Sequence, residues 1–361
     1  MYLLCLVLAV VFLCALVRVV VWRSTALQSI PLVTSIIGMI AGWLLGHTAA
    51  TSARASDSTR HLFSVYIPCG GVALLVMAFA SGVVPETNYW TAAGKLTGAT
   101  EGVAHRFALS EDVLKLLTYQ VTAIPFALAI PQRGVKILSL AGAAVAMMVL
   151  VLNGSMTYPM SALVILSLCF ILLWSSHRPD LRPRVMPLVI AVAFGIAAAG
   201  ITIALRPALG TPLALSLTNK DVTQGNNALD GRDVMWAKAV RHIEDNPVFG
   251  HALDEPTNEE TRFAYTNPHN DYLLAALKFG VPAALLLVIL VLLVGREFAR
   301  HVLSPRNLNV LSTALLGLSC WLSLFIPPFF SGLLSSPFYS NLALSGVAGL
   351  CYTTLRLEGA V

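Results

Sequence analysis

Long apolar runs, each of about 20 residues, alternate with shorter polar connections along most of the chain. A transmembrane helix needs about 20 apolar residues to cross roughly 30 Å of hydrocarbon, and these runs meet that requirement. The pattern therefore predicts an all-α polytopic membrane protein with about ten transmembrane helices. The predicted spans are 2–22, 27–46, 62–84, 113–131, 134–152, 159–175, 185–205, 269–294, 308–330 and 337–355.

The basic residues of the short connections predict how these spans are oriented. Cytoplasmic loops of membrane proteins carry an excess of arginine and lysine. Assigning the basic connections to the cytoplasm places both termini inside and leaves two segments in the periplasm, 85–112 and the much longer loop 206–268. We therefore divide the chain into an N-terminal bundle of about seven spans (1–205), this loop, and about three C-terminal spans (269–361). The basic connections are 47–61, 131–136, 175–184 and 295–307.

Composition supports a membrane protein and excludes several other classes. Of the 361 residues, 57% are hydrophobic and 11% are charged, whereas a soluble domain carries about 25% charged residues. The six cysteines lie in or beside apolar runs without metal-ligand spacing, which favours small buried side chains over disulfides or zinc ligands. The net charge of +5 comes without a dense basic patch, so no nucleic-acid partner is expected.

One amphipathic helix is predicted inside the long loop. Asp230 suits the N-cap position, Asp233 stands at the capping-box offset, and Asn246-Pro247 would end the helix. Arg232 falls in the first turn, where backbone N–H groups and a guanidinium can bind an anion together. Alternatively, Arg232 pairs with Asp230 or Asp233 on a solvated face. The apolar stripe consists of Met235, Trp236, Ala239, Val240 and Ile243.

A second polar group closes the loop. Asn267 can cap a helix and Pro268 suits its first position, so the eighth span is expected to begin there. His269 would then lie in the first turn, where the helix dipole and a neighbouring arginine disfavour imidazolium. A neutral imidazole can act as a general base. Alternatively, His269 is a helix-start residue that is bonded to the loop backbone.

Three motifs in this region resemble the O-antigen ligase and polymerase superfamily. They are Gly231-Arg232-x-x-x-Trp236, Asn246-Pro247-x-Phe249-Gly250 and Pro268-His269-Asn270-Asp271-Tyr272-Leu273. The stretch from His269 also fits the ligase motif of His, then Asn, Ser or Gln, nine residues and Gly, which ends here at Gly280. The last position of that motif prefers Gly, Thr or Tyr, whereas this chain has Ala283.

The resemblance implies a C-type glycosyltransferase fold in the bacterial inner membrane, with the active site facing the periplasm. Family members move a glycan from undecaprenyl pyrophosphate without metal or cofactor. Ligases pass it to a lipid A–core sugar hydroxyl, and polymerases pass it to the next repeat unit. The implied partners are this donor, a lipid A–core or glycan acceptor, and the bilayer. Arg232 would bind pyrophosphate and His269 would activate the acceptor, with Asn270 and Trp236 as supporting residues.

The chain departs from the family where an earlier span commonly carries a Ser-Arg pair at its outer end. The corresponding segment, 154–158, contains no arginine, and Arg206 and Arg241 are the candidates to replace it.

Ligase-type transfer is the leading hypothesis, and a polymerase is the alternative. A transporter would require charged residues in mid-membrane, and the predicted spans hold almost none. A non-catalytic scaffold would leave an arginine and a histidine at one membrane surface without a role.

Overall fold

The described part of the protein is helical apart from one short pair of strands. The computed structural model describes residues 30–51, 86–88, 105–107, 111–122, 133–152, 157–176, 182–205, 232–250, 270–330 and 338–359. Strand β1 (Glu86–Asn88) pairs antiparallel with strand β2 (His105–Phe107). Within these ranges the predicted all-α class is therefore confirmed except for this pair.

The helices are numbered here in chain order. They are α1 (Ile30–Thr51), α2 (Glu111–Thr122), α3 (Arg133–Leu152), α4 (Thr157–Trp174), α5 (Arg182–Leu205), α6 (Arg232–Asp245), α7 (Asp271–Phe279), α8 (Val281–Leu303), α9 (Leu308–Phe325), α10 (Pro327–Phe330) and α11 (Phe338–Gly359).

Four helical segments of the described ranges are long and apolar enough to cross a membrane. Large apolar side chains lie exposed on their surfaces, including Phe194 and Leu205 of α5 and Leu292 of α8. Contact with lipid rather than water accounts for such surfaces. The segments are Thr157–Trp174, Met186–Leu205, Val281–Leu303 and Leu308–Phe325.

The predicted spans agree with the described helices in most places and fail in one. Helix α3 ends at Leu152, where the span 134–152 was predicted to end. The predicted span 269–294 is wrong, because Gly280 interrupts it and separates α7 from the membrane-crossing helix α8. The predicted spans 2–22 and 62–84 lie outside the described residues, and the three-part division of the chain remains a prediction.

Helices α1 and α11 pack against each other along a line of glycines. A Cβ at Gly42 would contact the Leu342 carbonyl oxygen, and one at Gly46 would contact that of Gly346. The partner numbers rise together, so the two helices run in the same direction. Small residues let helix backbones approach closely inside a membrane, where packing rather than water drives association. Trp43 stacks edge-on against Trp321 of α9, which connects this pair to the centre of the bundle.

Helix α9 forms the centre of the bundle and is buried along most of its length. The Ser319 hydroxyl donates a hydrogen bond to the carbonyl oxygen of Thr122 in α2, at 2.9 Å. The indole N–H of Trp321 donates to the Val291 carbonyl of α8, at 3.0 Å. These bonds satisfy polar groups that would otherwise be unpaired in a medium without water.

One end of the bundle carries a cluster of charged residues. The Glu297 carboxylate at one end of α8 lies 3.2 Å from Arg300 and 3.4 Å from Arg356 of α11. Arg306 lies nearby and donates to the Glu358 carbonyl oxygen, at 3.1 Å. We call this end the basic side, and we call the opposite end, where α7 meets α8, the loop side.

Candidate functional site at the loop side

Helix α6 begins at Arg232 and ends at Asp245, where Asn246-Pro247 was predicted to end it, and the predicted N-cap Asp230 lies outside the described residues. Ala239 and Ile243 are buried on one face, and Trp236 is half-buried beside them. Ile243 packs in a small cluster with Ala276 and Leu277 of α7 and with Ala284 of α8. The predicted stripe is therefore confirmed in part, because Val240 at its margin is exposed.

The turn after α6 is fastened to the junction between α7 and α8. The Val281 N–H donates a hydrogen bond to the Pro247 carbonyl oxygen, at 2.8 Å. The Gly250 N–H donates to the Asn246 carbonyl oxygen, at 3.0 Å, and closes the turn itself. The Asn246-Pro247-x-Phe249-Gly250 motif therefore builds a tight turn whose partner is the start of a membrane-crossing helix.

Two glycines make this contact possible. Gly250 has φ 63° and Gly280 has φ 87°, and both values lie in the region that favours glycine. A Cβ at Gly250 would lie 2.6 Å from the Gly280 nitrogen and 2.6 Å from the Lys278 carbonyl carbon. A Cβ at Gly280 would lie 2.5 Å from the Val248 carbonyl carbon. The terminal glycine of one motif thus contacts the terminal glycine of the other, backbone against backbone.

Asn270 caps the N-terminus of α7. Its side-chain oxygen accepts hydrogen bonds from the N–H groups of Tyr272 (3.0 Å) and Leu273 (3.1 Å). The predicted cap at Asn267 and helix start at Pro268 are therefore wrong, because Asn270 has extended backbone and already satisfies the first-turn donors. His269 precedes the cap, so it is not a first-turn residue of α7. Its own placement lies outside the described residues.

Helix α7 is also fixed to the bundle through its first turn. The Tyr272 hydroxyl donates to the carbonyl oxygen of Phe325, at 2.9 Å, where α9 ends. Asp271, the neighbouring residue, is buried. Burial raises the pKa of the Tyr272 phenol well above its ordinary value, and the Asp271 carboxylate raises it further. Tyr272 is therefore a hydrogen-bond donor at neutral pH.

Lys278, at the other end of α7, is largely withdrawn from water. Burial lowers the pKa of its ammonium group below the ordinary value. Its carbonyl carbon is one of the atoms packed against Gly250. The C-terminal turn of α7 therefore carries a partly desolvated cation beside the glycine contact.

A buried polar pair that was not predicted from the sequence lies within the bundle. The Lys115 ammonium of α2 donates to the Asn341 side-chain oxygen of α11, at 3.1 Å, and both side chains are fully buried. The hydrogen bond between Ser319 and Thr122 puts these two residues of α9 and α2 at the same depth in the bundle. Lys115 lies seven residues from Thr122 towards the loop side, about 10 Å at a rise of 1.5 Å per residue.

Phe325 lies six residues beyond Ser319 in the same direction, about 9 Å by the same rise. Lys115 and the Tyr272 hydroxyl, which is bonded to Phe325, are therefore at similar depth. The sequence contains a signal for this cation, because Lys115 falls inside the predicted span 113–131. An ionisable residue within a transmembrane span indicates a functional or paired site.

Only some of the predicted site residues lie in the part of the chain that the structure describes. Arg232 begins α6 and so lies in its first turn, as predicted. Arg241 is exposed on the face of α6 opposite the buried one. His269 and Arg206 lie outside the described residues, as does Met156 in the segment where the family arginine is missing. Thr157 and Tyr158, the last two residues of that segment, begin α4 and are buried.

A comparison with known protein families matches the segment that contains these elements. Residues 141–288 match the family model described as O-antigen ligase. This match covers about two fifths of the chain and supports the resemblance to the O-antigen ligase and polymerase superfamily. The matched residues extend from α3 through the first turns of α8, and they include the α6 turn, the Asn270 cap and both contacting glycines. No curated protein matches the chain.

The matching family indicates the class of reaction to consider. O-antigen ligase family members are glycosyltransferase-like membrane enzymes that act on lipid-linked glycans. Among the residues that the structure describes, no group of three or more His, Cys, Asp or Glu side chains could hold a metal ion. Ala283, which departs from the ligase motif, is buried in the first turn of α8.

Proposed function

We propose that this protein is a member of the O-antigen ligase and polymerase superfamily and acts as an O-antigen ligase-type glycosyltransferase. It would move a glycan from undecaprenyl pyrophosphate to a lipid A–core sugar hydroxyl at the periplasmic face of the inner membrane. The observation that carries the proposal is the ligase motif itself: the cap Asn270 begins α7 and Gly280 ends it. The two motif positions thus bound one short helix that packs on the helix opened by Arg232.

The packing of α6 on α7 supports a shared site for Arg232 and His269. Ile243 of α6 packs in one cluster with Ala276 and Leu277 of α7, and the turn after α6 is bonded to Val281. Arg232 begins α6, and His269 directly precedes the cap of α7, so two helices that pack on each other carry the two residues.

In this arrangement the two residues perform different steps. Arg232 holds the pyrophosphate with its guanidinium fork and the free N–H groups of the first turn of α6, and it stabilises the charge of the leaving group. His269 accepts the proton of the acceptor hydroxyl as that oxygen attacks the anomeric carbon. The bond from the anomeric carbon to the pyrophosphate oxygen breaks, and undecaprenyl pyrophosphate leaves with the electron pair.

The proposal is tested by in vitro transfer from a lipid-linked glycan, with the amount of folded protein matched between variants. His269→Ala should lower turnover by about 10²–10⁴-fold, the usual contribution of a general base, and leave donor binding largely intact. His269→Gln should fail as well, because an amide cannot accept the proton at neutral pH. Arg232→Lys should impair donor use strongly, because the charge remains but the fork is lost.

The matched control is Glu244→Ala, on the exposed face of the same helix, which should transfer at the wild-type rate. Arg241→Ala asks whether that exposed residue supplies a second cation for the donor. Near-normal turnover in His269→Gln would remove His269 as the base. Analysis of lipopolysaccharide from a deletion strain separates the two reactions: a ligase defect leaves no polymer on core, and a polymerase defect leaves a single repeat.

A further inference from the structure

The turn that follows α6 presents two large apolar side chains that the described parts of the protein leave uncovered. Val248 is 54% exposed and Phe249 is 51% exposed, although both belong to a turn whose backbone is tightly held. Val240, on the same helix, is 42% exposed. In a segment surrounded by water, such a cluster would cost free energy and favour association with another apolar surface.

The turn lies at the height where the membrane-crossing helix begins. Pro247 accepts a hydrogen bond from Val281, the first residue of α8, and Val248 packs against Gly280. One turn further along α8, Leu285 is 55% exposed and begins the apolar surface that continues through Leu292. The exposed side chains of the turn are therefore adjacent to a surface that contacts lipid.

The polar residues of α6 are arranged as this placement requires. Arg241 and Glu244 lie on its exposed face, whereas Ile243 faces α7. A helix that lies along the boundary between headgroups and acyl chains keeps its charged face towards water and buries apolar residues in that boundary. Val248 and Phe249, in the turn that continues this helix, are the large apolar residues available to enter that boundary.

We propose that Val248 and Phe249 form a membrane anchor that inserts into the lipid leaflet on the loop side. The partner is the acyl-chain and glycerol region of ordinary bilayer lipid. The glycine contact holds the turn rigid, so the anchor fixes α6 at the membrane surface. The inference rests on exposure and position alone and holds whether or not the chain is a ligase.

The test measures the surroundings of position 249 directly. Phe249→Cys is labelled with an environment-sensitive fluorophore, the protein is placed in lipid nanodiscs without any glycan donor, and wild-type protein carried through the same labelling supplies the background. Lipids with a doxyl quencher on the acyl chain report contact with the bilayer, and iodide reports contact with water. Ala237→Cys is the matched control, because Ala237 is exposed on the polar face of the adjoining helix.

The label at position 249 is expected to lose most of its emission to doxyl lipid and little to iodide, and the label at position 237 should show the reverse. Stronger iodide than doxyl quenching at position 249 would overturn the proposal. Doxyl quenching that appears only after lipid-linked donor is added would assign the surface to the donor's polyprenyl chain instead. Protection from both quenchers would assign it to a protein contact, and either result overturns the anchor.

Discussion

Replacement of Gly280 by alanine should release the loop helix from the membrane-crossing helix. Gly280 combines φ 87° with ψ 163°, a region that is essentially restricted to glycine. An added methyl carbon would also lie 2.5 Å from the Val248 carbonyl carbon and 3.0 Å from the Phe249 nitrogen. Both neighbours are backbone atoms, so no side-chain rotation can relieve the contact.

The size of the effect follows from these two terms. Backbone strain of this kind costs about 1–3 kcal/mol. Overpacking of a tight contact costs a further 1–3 kcal/mol or so. Together they raise the free energy of the closed turn by roughly 2–6 kcal/mol relative to the open one. Because 1.36 kcal/mol corresponds to a tenfold change in an equilibrium constant, opening should become at least about 30-fold more frequent.

Hydrogen exchange of peptides from 232–250, measured by mass spectrometry in detergent micelles, reports this opening. Gly280→Ala should exchange these amides at least about 30-fold faster than wild type, while peptides from α9 keep their protection. Gly200→Ala is the matched control, because a Cβ there meets no atom within 4 Å and alanine favours a helix. Exchange in Gly280→Ala no faster than in Gly200→Ala would refute the glycine contact as the fastening point.

Three further predictions concern the buried charges and the chemistry. Lys115→Met removes the hydrogen-bond donor to Asn341, so it should lower the free energy of unfolding by about 1–3 kcal/mol, measured as a lower thermal midpoint. The double variant with Asn341→Leu should recover part of this loss, and strictly additive losses of the two single variants would contradict the pairing. Burial lowers the pKa of Lys278, so the unfolded chain binds more protons than the folded one between that pKa and 10.5, and stability should rise with pH through this window. Lys278→Met should abolish that rise, which thermal unfolding at pH 7 to 10 measures, and an unchanged slope would exclude Lys278 as its source. Purified enzyme in excess chelator should retain its transfer activity, and loss of activity that magnesium or manganese restores would contradict an arginine-based mechanism.

Local sequence signals predicted the elements whose structure depends on their own residues. Helix α6 combines an apolar stripe with a terminating Asn246-Pro247, and both signals lie within or directly beside this one helix. Helices α3 and α5 are likewise uninterrupted apolar runs, and their ends at Leu152 and Leu205 coincide with the predicted ones. Such features need no knowledge of what the helix packs against.

The break at Gly280 could not be predicted in the same way, because its cause is tertiary. A glycine inside an apolar run is compatible with a continuous helix, and only contact with the 246–250 turn requires its positive φ. The helix start was misplaced for a related reason: Asn267-Pro268 is a good local cap, but Asn270 is the residue that satisfies the first-turn donors. The pairing of Lys115 with Asn341 likewise joins helices more than 200 residues apart.

The parallel packing of α1 and α11 has a consequence for biosynthesis. The glycine face of α1 meets Leu342 and Gly346 near the far end of the chain, and His47 bonds to Thr353 at 3.0 Å. At about 5–20 residues per second, the roughly 300 intervening residues take about 15–60 seconds to be translated. During that time α1 has to remain in the bilayer without its final partner. Nonsense or frameshift mutations that remove only the last helix should therefore leave an early helix unpaired and direct the whole protein to quality-control proteolysis.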